Sequence, residues 1–313
     1  MNVNRDELDR AIALDKRAIG RLVSLFEDER PAAVAARADA IAALDASGRA
    51  RSGRFVAITG APGAGKSTLI GQLAPRMIAR DRGIAVAVVA VDPTSPVSGG
   101  ALLGDRTRVA FDAAEDRLFF RSQASALALG GLGRHTYAVA RLLRRLFDLV
   151  VIETVGIGQS EVEVRHLADR MYLVLQPLAG DHIQFMKAGI MEVPDAIVLN
   201  KADEPAAGAT WHALRSAVGL GGSADALFRA SATTGDGLDA LAADMLAVTA
   251  RPPRRTPAEV DAYFFERWVV DEFGRRGARR LREEAGGDLA RFLADAGGFE
   301  AAQVRAARVL DPT

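Results

Sequence analysis

The stretch FVAITGAPGAGKST, Phe55 to Thr68, decides how this chain is read. A short apolar run, FVAIT, leads without a spacer into a glycine-rich turn, and LIGQLAPRM follows with helical spacing. The turn matches G-x-x-x-x-G-K-[ST] in the setting that motif needs, strand then loop then helix. Glycines let backbone N–H groups turn toward phosphate oxygens, and the helix N-terminus adds its dipole. Gly60, Ala61, Pro62, Gly63, Ala64, Gly65 and Thr68 would form the cradle. Lys66 would neutralise the β- and γ-phosphates, and Ser67 would hold a magnesium ion.

Outward from this loop, apolar runs alternate with helical stretches from Arg54 to about Ala250. They are FVAIT (55–59), IAVAVVAV (84–91), RLFFR (117–121), DLVVIE (148–153), MYLVLQ (171–176), AIVLN (196–200) and ALFRAS (226–231). Runs apolar at nearly every position suit strands buried on both faces of a parallel sheet. Helical crossovers between them predict an α/β fold, a doubly wound and mostly parallel sheet with ligands bound beyond the strands' carboxyl ends. Residues 1–52 read as a helical extension, with Leu8, Ile12, Ile19, Leu22, Val23 and Phe26 at helical spacing and Pro31 at a break. Residues 53–250 form the phosphate-loop domain. RPPRRTP then opens a helical arm over 251–313, expected as two short helices or one broken at Gly286-Gly287.

Composition narrows the function. Among 313 residues there are 40 Lys plus Arg against 40 Asp plus Glu, a formal net charge of zero. That balance argues against generic binding to nucleic acid or to an anionic membrane. The absence of cysteine excludes disulfides, thiolate metal sites and cysteine nucleophiles. With no secretory signal and no long apolar span, a cytoplasmic protein is expected.

The base-reading chemistry sits further along. NKAD, Asn200 to Asp203, ends the AIVLN run. A carboxylate at Asp203 would accept both N1–H and the exocyclic amine of guanine, a pair that adenine lacks. Asn200 would tether the loop, and the Lys201 stem would cover the base. In SATTG, Ser231, Ala232 and Thr233 would present backbone amides to guanine O6. GTP or GDP with Mg²⁺ is therefore the expected ligand set. Asp92, ending the second run, Asp105 beside Thr107, and Glu153, ending the fourth, are candidate metal ligands with Ser67. Gly156 would sense the γ-phosphate. Lys66, Asp105 and Glu153 form the core of the candidate catalytic set. Ile157, and not a glutamine, follows Gly156, with Gln159 nearby, so an incomplete site and a slow basal rate are expected.

GAPGAGKST, AVDPTSP, GGALLGDRTR, ETVGIGQSE, GDHIQFMKAGIMEVPD and LNKAD occur in one order that resembles a known family. These are the P-loop GTPase chaperones of adenosylcobalamin-dependent acyl-CoA mutases. They are called MeaB-type or methylmalonic aciduria type A proteins, and historically ArgK-like arginine/ornithine transport kinases. The resemblance implies slow GTP hydrolysis accelerated by a mutase partner, gating of cofactor loading, and a homodimer built by the C-terminal arm. It also implies that the segment Gly180 to Asp195 answers to nucleotide and contacts the mutase. Lys187 and Glu192 match the family pattern there, and Lys187 joins the catalytic candidates. His182 stands where the family commonly has an acidic residue after Gly-Asp.

Rival readings differ in what they need. A metal-delivery GTPase needs clustered soft or imidazole ligands, whereas His135, His166, His182 and His212 are scattered. A P-loop small-molecule kinase has no use for NKAD after a buried strand. A nucleic-acid or targeting GTPase would draw on the RRGARRLR run, Arg275 to Arg282, which Glu283 and Glu284 balance as a solvated helix face.

Overall fold

A computed structural model describes residues 4–92, 114–124, 132, 135–154, 159–177, 194–219 and 227–310. The chain forms two compact units. One gathers Met1–Ser52, Arg134–Leu146 and Pro253–Thr313, and the other gathers Gly53–Gly133 and Phe147–Pro252.

The second unit is built on a seven-stranded parallel sheet. Its strands are β1 (Arg54–Thr59), β2 (Val86–Asp92), β3 (Leu118–Ala124), β4 (Leu149–Thr154), β5 (Arg170–Leu175), β6 (Ala196–Leu199) and β7 (Leu227–Arg229). The order across the sheet is β3-β2-β4-β1-β5-β6-β7. Every apolar run picked out by composition is a strand, because a parallel strand covered on both faces must be apolar at successive positions. Each residue of β4 is buried.

One face packs the helices Lys66–Arg80 and Leu238–Ala247 through Ile58, Leu69, Leu73, Met77, Val151, Tyr172, Leu241 and Met245. Burying each large aliphatic side chain there is worth roughly 1.5–3 kcal/mol. The Tyr172 hydroxyl, buried in this layer, donates to Asp244 at 2.6 Å and accepts from Arg170 Nε at 3.0 Å. Burial first, and then the Asp244 carboxylate, push its pKa well above the ordinary tyrosine value.

Among its described residues the regular structure of the first unit is helical: Arg5–Ile12, Lys16–Phe26, Pro31–Ala46, Thr136–Leu146, Pro257–Glu284, Leu289–Ala296 and Phe299–Leu310. The N-terminal periodicity is interrupted at Leu14, which takes a left-handed φ of 67°. Asp15 then caps the next helix by accepting from the Arg17 and Ala18 amides, both at 2.9 Å. Pro31 opens a helix, occupying its first turn where no amide hydrogen is needed.

The expectation for the C-terminal arm needs correction. Its described residues form three helices, and the first is kinked at Gly274, where φ is 69° and ψ 179°. Gly286-Gly287 separates that long helix from the next one, at the position where a break was expected.

Thr136–Leu146 falls in the chain between β3 and β4 yet belongs to the helical unit. Its Arg141 shows why. The side chain is 6% exposed, and its guanidinium lies 3.0 Å from Asp261 and is hydrogen-bonded to Glu300. It also lies 4.9 Å from the centre of the Phe299 ring. Tyr137 stacks on Phe264 with centroids 4.1 Å apart, and its hydroxyl donates to Asp261. A buried cation survives only when it is paired this completely.

Candidate functional site

The chemistry collects at the carboxyl ends of the strands. β1 delivers the chain into Gly60, whose φ is 141°. A Cβ there would lie 2.2 Å from the carbonyl oxygen of Val174 on β5, so only glycine lets the loop pass this close. The loop ends at Gly65, left-handed at φ 84°, which starts the Lys66–Arg80 helix. The first-turn amides of that helix point into the loop, where an anion is favoured. Lys66 is 6% exposed and curls back over the turn, donating to the carbonyls of Gly60 at 2.7 Å and Ala61 at 3.1 Å. Its ammonium is thereby held at the mouth of the loop.

Ser67 Oγ donates to Glu153 Oε1 at 2.7 Å. Glu153 pairs in register with Ile58 of β1, which brings it to the phosphate loop from 86 residues away. A hydroxyl and a carboxylate together are hard oxygen donors that fit magnesium. Among the described residues no group of three or more His, Cys, Asp or Glu could enclose a metal. Magnesium does not require one, since it usually completes its shell with water and phosphate oxygens.

On the other side, Asn200 is buried at 1% exposure and works as a strap. Its Nδ2 donates to the Ala64 carbonyl at 2.9 Å, and its Oδ1 accepts from the Ala232 amide at 3.2 Å. One side chain thus ties the phosphate loop to both loops on the base side. Lys201 adopts a left-handed φ of 55° and donates through Nζ to Gln176 Oε1 at 2.7 Å.

Asp203 is exposed, and Ser231 Oγ donates to its Oδ1 at 2.6 Å. That hydrogen bond is the main reason the Asp203 carboxyl titrates below its ordinary value. Ser231 Oγ also accepts from the Thr233 amide at 3.2 Å and the Thr234 amide at 3.0 Å. The Ala232 and Thr233 amides, read from sequence as donors to guanine O6, are therefore engaged within the protein.

The structure brings Lys66, Ser67 and Glu153 together at one end and Asn200, Lys201, Asp203, Ser231, Ala232 and Thr233 at the other. Asp92 is the last residue of β2, and its side chain lies outside the described residues. So does the side chain of Gln159, first residue of the helix Gln159–Leu167. Asp105, Thr107, Gly156, His182, Lys187 and Glu192 lie outside them altogether. Gln176, which accepts from Lys201, was not singled out from sequence. The available signal was a polar residue closing the MYLVLQ run.

Comparison with known proteins places the chain. Residues 19–251 match the family model described as methylmalonyl-CoA mutase-associated GTPase MeaB. A Pyrococcus abyssi protein is 42% identical over 207 residues, which is 66% of this chain and 61% of that one. A Pyrococcus horikoshii relative is covered to 63%, so the chain spans about three fifths of the length of these curated relatives. The methylmalonic aciduria type A homolog of Caenorhabditis briggsae, a mitochondrial protein, is 42% identical over 149 residues, 47% of this chain and 36% of that one. Among solved structures, the LAO/AO transport system kinase aligns over 95% of this chain and 92% of its own. Its TM-score is 0.58 at 23% identity, a likeness of fold. No helix among the described residues is long and apolar enough to cross a membrane. With the match running through the phosphate loop, the β4 carboxylate and the NKAD loop alike, the chain belongs to the MeaB family of mutase-associated GTPases.

Proposed function

We propose that this chain binds and hydrolyses GTP and, by that cycle, gates adenosylcobalamin loading into an acyl-CoA mutase and protects it. The observation that carries the guanine-nucleotide part is the Asn200 strap. It sets a phosphate-binding loop and an exposed carboxylate at Asp203 in one frame, as recognition of both ends of a single nucleotide requires. The mutase part rests on family membership. The protein would work in the cytoplasm as a homodimer.

Lys66 would place its charge against the β- and γ-phosphate oxygens, giving up its contacts to Gly60 and Ala61. Ser67 and Glu153, with Asp92 or Asp105, would hold magnesium, which when bound offsets negative charge on the phosphates. Asp203 would accept from guanine, its carboxylate oriented by Ser231. A mutase acting on the segment around Lys187 would raise the rate by completing the catalytic site.

Two experiments test this reading. Calorimetry with magnesium should give heat for GTP and GDP and far less for ATP. Asp203→Asn should lower GTP affinity by about a hundredfold and shift preference toward xanthine nucleotides, since two hydrogen bonds to a charged acceptor are lost. Unchanged guanine preference would remove Asp203 from the role.

The pH dependence follows from the lowered carboxyl. A depressed pKa means Asp203 stays ionised until the pH falls below the ordinary aspartate value. The ratio of GDP to ADP affinity should therefore be the same at pH 5 as at pH 7. A decline over that interval would contradict the assignment.

A further inference from the structure

Gln176 stands immediately after β5, and Lys201 two residues after β6, its neighbour in the sheet. Leu175 and Leu199 pair in register, and the Asn200 amide still donates to the Leu175 carbonyl at 2.9 Å. The two chains therefore leave the sheet side by side. Lys201 then turns left-handed, a conformation that a residue with a Cβ adopts only when its surroundings enforce it. The enforcement is visible: the Ala202 amide donates to the Ala230 carbonyl and the Glu204 amide to the Lys201 carbonyl, each at 3.0 Å.

Backbone geometry fixes where the lysine stem begins but not where its four carbons go. A lysine loses much rotamer freedom on being held. Glu204, at 3.9 Å from Nζ and half exposed, offers a competing position. The 2.7 Å bond to Gln176 Oε1 is the shorter and better formed of the two. An amide oxygen also suits the place, because it accepts from the ammonium without adding negative charge to the pocket that holds Asp203.

We propose that Gln176 is a positioning residue that holds the Lys201 stem across the base plane before nucleotide arrives, and so sets the residence time of guanine nucleotides. The inference rests on the guanine reading of the NKAD loop. Binding costs less when the contacting side chain is already ordered. The effect belongs to dissociation and to the base, not to the phosphates.

The test uses the full chain and fluorescently labelled GDP. Gln176→Leu should speed GDP release about tenfold and weaken GDP and GTP alike, while affinity for inorganic triphosphate stays at the wild-type value. Gln176→Glu, whose carboxylate also accepts from the ammonium but adds a charge near Asp203, should release GDP more slowly than Gln176→Leu; release as fast as in Gln176→Leu overturns the proposal. On a Lys201→Ala background, Gln176→Leu should have no additional effect, because the stem it positions is gone. A merely structural role would weaken triphosphate binding as well and would persist on that background; either result overturns the proposal. Wild-type release rates in Gln176→Leu overturn it alone. Failure of the wild-type protein to prefer GDP over ADP overturns the guanine reading and this inference with it.

Discussion

Lys66→Ala is expected to reduce GTP affinity by about a hundredfold or more and to remove detectable turnover. Under the proposed role two charge-assisted hydrogen bonds to phosphate would be lost, each worth about 1.5–3 kcal/mol, and every 1.4 kcal/mol is about tenfold in affinity. The substitution also deletes contacts within the free protein, since Nζ bonds to the Gly60 and Ala61 carbonyls. Those two effects separate cleanly. Loss of the internal bonds should lower the melting temperature of the free protein slightly, whereas loss of the ligand contacts should remove the upward shift expected with GTP in the wild type. Calorimetry together with melting curves, with and without GTP and magnesium, reads both. A Lys66→Ala variant that hydrolyses GTP near the normal rate would end the phosphate-loop interpretation.

The second large effect lies in the helical unit and concerns stability. Glu300→Ala should cost about 3–5 kcal/mol, because Arg141 would remain buried without its closest anion. Glu300 is 2% exposed, so water cannot readily replace it. The double substitution Arg141→Met with Glu300→Leu should recover much of that loss, since an apolar pair of similar volume carries no desolvation penalty. Asp261 loses its partner in the double variant, but it is more exposed and keeps the Tyr137 hydroxyl. Denaturant melts of the three proteins decide the matter. A single variant within 1 kcal/mol of the wild type would mean that water or a neighbouring group already carries the charge.

How far these features could be read from sequence depends on whether their cause is local. The seven strands were legible because burial on both faces writes itself into consecutive residues such as LVVIET. The phosphate loop was legible because strand, glycines, lysine and helix are contiguous. The break at Leu14 was not, since a leucine gives no warning that its backbone turns left-handed. The kink at Gly274 was ambiguous for the opposite reason: glycine permits many conformations and demands none.

The helix Thr136–Leu146 advertises a buried face but not what covers it. Its deciding contact, Arg141 to Glu300, spans 159 residues. Gln176 escaped notice for the same reason. Its meaning comes from the adjacency of β5 and β6, which joins it to a lysine 25 residues onward.

The Asn200 strap has a consequence for the newborn chain. Ala64 leaves the peptidyl-transferase centre 136 residues before the asparagine that fastens it, and Ala232 follows 32 residues later still. At ordinary translation speeds of about 5–20 residues per second, the wait for Asn200 is roughly 7 to 27 seconds. Throughout it the glycine turn lacks the asparagine side chain that later joins it to the loops on the base side. Chains that end short of Asn200 would therefore carry the whole phosphate-loop sequence without the bond that ties Ala64 to the base side.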